Sequence, residues 1–205
     1  SAGVRSNDAT NIRRSLQAVR DDNTKGEFCL TGDVGLAVAE QVRGRAVEAP
    51  EDELRGVNSR AELALAEAAM QNRLRETAMA EGVTLVAPET VFLCADTCLS
   101  SDVLIEPHVV FGPGVIVHEG ATIRSFSHLE GCEIHADTVI GPYARIRPGS
   151  SIGAGSRVGN FVEIKATTMG TGVKVNHLSY LGDSRVGYRT NIGAGTITCD
   201  YDGTF

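Results

Sequence analysis

The chain of 205 residues carries 19 Lys and Arg against 26 Asp and Glu, a net charge of −7, with the basic residues scattered along its length. That distribution excludes the basic stripe of a nucleic-acid binder, and no apolar run approaches the roughly 20 residues that cross a bilayer as a helix. With 23 glycines, 5% aromatics and no tryptophan, the composition suits thin layers and tight corners, which points to a repeat fold.

In chain order, residues 1–57 mix the helical patterns IRRSLQAV and DVGLAVAEQV with the strand-like RAVEAP. They read as α/β material, too short for a doubly wound domain of about 100 to 150 residues, so the expectation is a larger α/β domain cut at Ser1. The polar start SAGVRSNDATNIRR has no apolar signal-peptide segment, and a cytoplasmic protein is expected. The cysteines Cys29, Cys94, Cys98, Cys132 and Cys199 are odd in number and form no CxxC pair. They are expected as small, reduced core or corner residues rather than a disulfide or zinc framework.

Residues 58–82 are predicted as one long linking helix. Ser59-Arg60-Ala61-Glu62 has the pattern of a capping box, in which hydroxyl and carboxylate satisfy orphan backbone donors. Gly82 is a natural left-handed stop, and Leu63, Ala66, Met70, Leu74 and Ala78 are spaced as an apolar stripe.

From residue 83 onward an aliphatic or equivalent residue returns every six positions, at Leu93, Leu99, Ile105, Phe111, Val117, Ile123 and Leu129. The register resumes after a five-residue step at Ile134, Ile140, Ile146, Ile152, Val158 and Ile164, and two further five-residue steps precede Met169 and Val186. A small or β-branched residue follows four positions later, as at Val103, Val109, Val115, Ala144, Ser150, Ser156, Val162 and Val173. Glycine often follows the aliphatic directly, as at Gly112, Gly141, Gly153, Gly159, Gly170, Gly182, Gly187 and Gly193, where it is expected to permit unusual backbone angles at corners. A six-residue period is the signature of a parallel β-helix, three short strands per coil, with coils stacked about 4.8 Å apart.

Within the repeats lie GPYARIRPG (141–149), VGNFVEIK (158–165), NHLSYLGD (176–183) and NIGAGTITCDYDG (191–203), all in one hexapeptide phase. The set closely resembles the acetyltransferase domain of the bifunctional N-acetylglucosamine-1-phosphate uridyltransferase/glucosamine-1-phosphate N-acetyltransferase family. Upstream, GVNSRAELALAE (56–67) resembles that family's junction between domains, and DNTKGEFCLTGD (22–33) a late segment of its uridyltransferase domain, with Gly32 before Asp33 where the family has LTD. The resemblance implies a mainly β fold. It is a left-handed parallel β-helix at 83–205, incomplete at its C-terminus, behind a linker helix at 58–82 and a truncated Rossmann-like nucleotidyltransferase segment at 1–57. It also implies acetyl transfer from acetyl-CoA to the amine of glucosamine-1-phosphate. The parent enzyme, a homotrimer, would then uridylate the product with UTP and Mg²⁺ to UDP-N-acetylglucosamine for peptidoglycan and lipopolysaccharide synthesis.

Acetyl transfer to an amine needs a base for the amine proton, anchors for the sugar phosphate and donors for the developing oxyanion. By resemblance His177 is the general base. Arg147 and Lys165 are separated by three full hexapeptides, each directly after an aliphatic, so coil stacking sets two cations nearly above one another and calls for an anion between them. The resemblance makes that anion the sugar phosphate. It gives Tyr180, Asn191 and Tyr201 to the amino sugar and Ala194 to acetyl-CoA. Asp200, on the same cofactor-binding string, departs from the family's Asn, a carboxylate replacing an amide that can donate, so slower turnover is expected. Asn58 matches an asparagine that helps hold Mg²⁺ in the family and equally fits a residue just before a helix cap. The nucleotide loop and the carboxylate that completes the metal site are missing, so no uridyltransferase activity is expected of this chain.

Two other readings compete. A β-helix carbonic anhydrase would bind zinc through three histidines, for which His108, His118, His128 and His135 are candidates. A non-catalytic trimerising module would keep the fold and bind no sugar phosphate.

Overall fold

The computed structural model describes residues 53–199 together with Gln17, Glu48 and Pro50. Most of the segment predicted as α/β therefore lies outside the described residues. The chain divides into two compact units, Ser1–Ala66 and Glu67–Phe205.

Helix α1 spans Arg60–Ala80. Its start carries the expected reciprocal pair, with the carboxylate reaching one position further back. The Glu62 amide donates to Ser59 Oγ at 3.2 Å, and the Glu62 carboxylate accepts from the Asn58 amide at 2.7 Å. That amide, followed by the Ser59 hydroxyl, holds the Glu62 carboxyl below its usual range. The helix ends in a Schellman motif: Gly82, at φ 96°, donates to the Met79 carbonyl and Val83 to that of Ala78, both at 3.1 Å.

The apolar stripe is corrected by the structure. Leu63 and Met70 are exposed, and the residues the helix buries are Gln71, Arg75 and Ala78, with Leu74 packed against the core. The cause is what the helix covers. The first coil of a β-helix has no coil before it, so its backbone groups need partners from elsewhere. Gln71 imitates a peptide unit: Oε1 accepts from the Leu93 amide at 2.9 Å while Nε2 donates to the Leu93 carbonyl at 2.7 Å. Arg75 Nη1 donates to the carbonyls of Pro88 at 2.9 Å and Val91 at 3.3 Å.

From Thr84 the chain winds through three ladders of parallel strands. The first runs through Thr84–Leu85, Leu104–Ile105, Thr122–Ile123, Val139–Ile140, the starts of the long strands Arg157–Lys165 and Lys174–Gly182, and Asn191–Ile192. The second takes Val110–Phe111, His128–Leu129, Arg145–Ile146 and the ends of those two long strands. The third stacks Cys98–Leu99, Ile116–Val117, Cys132–Ile134, Ser150–Ile152, Thr168–Met169 and Arg185–Val186. Ile105 pairs with Ile123 across three full hexapeptides, whereas the coil from Ile123 to its partner Ile140 is shorter because it contains a five-residue step.

The aliphatics of the hexapeptide phase fill the interior, with Ile105, Ile123, Leu129, Ile134, Ile140, Ile146, Ile152, Ile164 and Leu181 at or within 1% of complete burial. The second inward position is buried from Val103 to Ser179, and several of its serine and threonine hydroxyls there join successive coils. Ser156 Oγ donates to the Gly170 carbonyl at 3.1 Å and accepts from the Val173 amide at 3.0 Å. Thr138, Thr167 and Ser179 donate in the same way to the carbonyls of Gly153, Leu181 and Gly193.

Most of the glycines after the aliphatics do not hold the unusual backbone angles expected of them. Of that group only Gly141 has a positive φ, whereas left-handed corners are held by Asp102, His108, Phe126, Tyr143, Phe161 and Leu178 among others. A Cβ on Gly159 would overlap the Asn176 carbonyl of the next coil, and one on Gly153 would come within 2.5 Å of the Gly170 backbone. Close approach between coils, more than backbone freedom, selects glycine there. Among the described cysteines Cys132 is buried, with its thiol pushed up to about 12 by desolvation, whereas Cys98 and Cys199 are exposed and not core residues.

Candidate functional site

The register groups the predicted residues. Ile146 pairs with Ile164 and the Arg147 amide donates to the Ile164 carbonyl at 2.8 Å, so Arg147 and Lys165 occupy neighbouring levels of one column, which Gly182 continues. Tyr180 lies in the adjacent column of the second ladder, beside Glu163. Its ring leans over Gly182, since a Cβ there would meet the phenol oxygen at 2.5 Å. The missing side chain at Gly182 thus lets the phenol reach into the Arg147–Lys165 column.

His177 lies at the corner between the first and second ladders, opposite Asn160. Lys174 pairs with Asn191, Val175 with Ile192 and Tyr180 with Ile197, all at one constant offset, and the same register sets Ala194 beside His177. Gly195 donating to the Leu178 carbonyl at 2.7 Å holds that alignment. The His177 side chain is exposed, and among the described residues no hydrogen bond orients its ring. Asn191 belongs to the first ladder, apart from the column of cations. Asp200 and Tyr201 lie outside the described residues. Asn58 gives its backbone amide to the helix start and is exposed.

The two stacked cations do not face one another bare. Arg147 Nη1 lies 2.9 Å from Glu163 Oε1, an oxygen that Arg145 approaches at 3.9 Å, and Lys165 Nζ lies 2.8 Å from Asp183 Oδ2. The chain's own carboxylates thus supply counter-charges that the spacing alone assigned to a bound anion. These pairs are partly exposed, where an ion pair contributes about 0 to 1 kcal/mol, so a phosphate can compete with them.

A groove of about 470 Å³ opens next to the His177 corner, walled by Phe161, Leu178 and Ile197 with Tyr143, Tyr180 and the Arg145–Glu163 pair. Of the predicted residues it contains Tyr180. Its apolar wall belongs to a ladder at left-handed corner positions in which His108, Phe126, Tyr143 and Phe161 stack at centroid distances of 5.0, 4.9 and 5.4 Å. Phe126, Tyr143, Phe161 and Leu178 remain about half exposed. The sequence signal for it is a large residue three positions before each aliphatic, at 126, 143, 161 and 178.

The four candidate zinc histidines divide. His118 and His135 stack on the third ladder, while His108 caps the aromatic ladder and His128 lies in the second. Within one chain, three histidines do not converge among the described residues.

The bacterial transferase hexapeptide (six repeats) family matches residues 131–166. Curated relatives match nearly the whole chain. The bifunctional protein GlmU of Gluconacetobacter diazotrophicus is 65% identical over 204 residues, 100% of this chain and 44% of that protein. GlmU of Acidiphilium cryptum is 64% identical over 195 residues, 95% of this chain and 45% of its own length. Among solved structures, the acetyltransferase domain of PglB from Neisseria gonorrhoeae FA1090, in complex with acetyl coenzyme A, is 17% identical, with a TM-score of 0.47 over 61% of this chain and 62% of that one. That likeness is too partial to bear on activity. Matched by GlmU proteins along almost all of its residues, the chain belongs to the bifunctional GlmU family and spans somewhat under half the length of those relatives.

Proposed function

We propose that this chain carries most of the site that moves an acetyl group from acetyl-CoA to the amine of glucosamine-1-phosphate, in a GlmU-type protein that then uridylates the product. The observation that carries the proposal is the arrangement of the matching strings. The base candidate His177 has the small Ala194 one coil away, and the cation column of Arg147 and Lys165 is bordered by Tyr180. In this reading Arg147 and Lys165 take the sugar phosphate from Glu163 and Asp183, and Tyr180 and Asn191 orient the amino sugar. His177 accepts the proton released as the amine attacks the thioester carbonyl. The small side chains at Gly193, Ala194 and Gly195 allow the thioester to approach.

An exposed ring ladder at the His177 corner supports assembly, with a neighbouring copy completing the site, and the family expectation of a homotrimer is the form proposed. A cytoplasmic location is proposed on the same resemblance, and no described helix is long and apolar enough to cross a membrane. Mg²⁺ belongs to the uridylyl step. Among the described residues the one matching position is Asn58, a single amide oxygen where that ion prefers carboxylates, and no uridylyl step is derived from it.

The test is acetyl-CoA-dependent acetylation of glucosamine-1-phosphate by a full-length protein in which this chain replaces the matching part of the Gluconacetobacter diazotrophicus relative. His177→Ala lowers kcat by roughly 10²- to 10⁴-fold with little change in sugar-phosphate binding. Arg147→Ala does the reverse, weakening binding by roughly ten- to a hundredfold. A folded protein inert both as it stands and with Asp200→Asn overturns the proposal, and sedimentation as a monomer at micromolar concentration overturns the trimer.

A further inference from the structure

The third ladder carries a cluster that the acetyl-transfer reading does not use. Ile116 pairs with Glu133 and Val117 with Ile134, so His118 and His135 follow at the same level of successive coils, and the His118 amide donates to the Ile134 carbonyl at 2.9 Å. Glu133 and His135 alternate with Ile134 on one strand path, so both side chains leave the same outer face. The two imidazoles lie parallel, 2° apart in plane with centroids at 5.2 Å. Each turns Nε2 towards the same carboxylate, His118 at 2.8 Å from Oε1 and His135 at 3.8 Å from Oε2. One donor atom from each of the three residues lies within 4.8 Å of the others, and none is deeply buried.

We propose that His118, Glu133 and His135 form a binding site for a divalent transition metal of the Zn²⁺ class, joining two consecutive coils. Two imidazole nitrogens and one carboxylate oxygen are a donor set that zinc takes readily, whereas Mg²⁺ and Ca²⁺ prefer all-oxygen shells. A tetrahedral ion about 2.0 to 2.2 Å from each ligand sets donor atoms roughly 3.3 to 3.6 Å apart. Drawing the three donor atoms, which lie within 4.8 Å of one another, into that range is a change of side-chain rotation, because the coil register already fixes the backbone. The side chains are about 40% exposed, which leaves the remaining coordination position to water. Ser151 Oγ, 3.2 Å from His135 Nε2, stands one coil further on and can accept a hydrogen bond from that water. The ion bridges coils on a ladder that carries none of the acetyl-transfer residues, so the site is independent of that function.

Isothermal titration of the chain with Zn²⁺ tests this, alongside His118→Ala, His135→Ala, Glu133→Gln and, as control, His128→Ala, which alters an exposed histidine on the second ladder. One equivalent is expected for the unmodified chain and the control, and affinity weakened at least about tenfold in each of the three variants. Zinc at a hundredfold excess over its dissociation constant should raise the melting temperature by roughly 5 to 10 °C. Co²⁺ bound there shows visible d–d bands without a thiolate charge-transfer band. Binding unchanged in the variants, no binding by the unmodified chain, or a thiolate band assigning the ion to a cysteine overturns the proposal. If a histidine variant fails to fold by circular dichroism, Glu133→Gln, which keeps the side-chain size, decides.

Discussion

Replacing Gln71 by leucine isolates the contact by which helix α1 closes the solenoid. Gln71 is 5% exposed and its amide holds both the N–H and the C=O of Leu93, itself 6% exposed, at 2.9 and 2.7 Å. Leucine is of similar size and offers neither donor nor acceptor, so two buried backbone groups lose their partners. At about 1 to 3 kcal/mol for each unsatisfied group, the loss is roughly 2 to 6 kcal/mol, and the added apolar burial offsets about 1 of these. Because a solenoid is stabilised coil by coil, the effect should concentrate at its first coil. Hydrogen exchange at Val91, Phe92 and Leu93 should accelerate, while the amides of Ile146 and Ile164, several coils away, keep their protection. Met70→Ala, at the exposed position just before it, is the control and should stay within about 0.5 kcal/mol of the unmodified chain in urea unfolding. Were Gln71→Leu as stable as that control, the idea that a side-chain amide stands in for the missing coil would be wrong.

Gly159→Ala should destabilise the chain by roughly 1 to 3 kcal/mol or more in urea unfolding, because the added methyl overlaps the Asn176 carbonyl, whereas Gly193→Ala, facing open space, should stay within about 0.5 kcal/mol. The Asp96 carboxyl is held below its ordinary value of 3.8, chiefly by the Gly114 amide that donates to it at 2.9 Å. A depressed carboxyl contributes stability that is present above its unfolded value and lost as pH falls through the folded one. The difference in melting temperature between the unmodified chain and Asp96→Asn should therefore shrink as pH drops below about 4, and a constant difference from pH 7 to pH 2 would count against that hydrogen bond.

The period carried most of the fold because it is a direct record of which side chains point inward. Each five-residue step reappears as a shortened coil, such as that from Ile123 to Ile140, and the small residues four positions on became the second inward row. What the period could not carry is what one coil does to its neighbour. Gly159 and Gly153 looked like corner glycines, yet their constraint comes from carbonyls a full coil away in sequence, which no local pattern displays. The helix stripe failed for a related reason: Gln71 and Arg75 are buried against backbone groups rather than against an apolar surface, and hydrophobic spacing has no symbol for that. In the site, the stacking of Arg147 over Lys165 was legible from their separation by three whole hexapeptides, and their partners Glu163 and Asp183 were not. The ladder of Phe126, Tyr143, Phe161 and Leu178 was in plain phase, but outward positions carry no expectation of order until the left-handed corners that align them are known.

A closed coil of three ladders is convex, and that shape bears on how such a site can work. Side chains leaving adjacent faces of a convex prism diverge, so within one chain Asn191 on the first ladder and the Arg147, Lys165 and Tyr180 set on the second do not face one another, and the amino-sugar role proposed for Asn191 falls to its copy on a neighbouring chain. The groove beside Tyr180 is open for the same reason, and His177, on the corner between the two faces, has no described neighbour that orients its ring. A catalytic base needs its ring fixed relative to the proton it accepts, and a substrate needs walls on more than one side. Among the described residues neither requirement is met, and the proposed assembly assigns both to a neighbouring copy. The ring ladder that runs along the His177 corner, about half exposed at each step, supplies an apolar contact area where such a copy can dock. Assembly and acetyl transfer are thus one proposal rather than two: a change such as Phe126→Ser that separates the copies should also remove the acetylation assigned to His177, although Phe126 itself lies several coils from that residue.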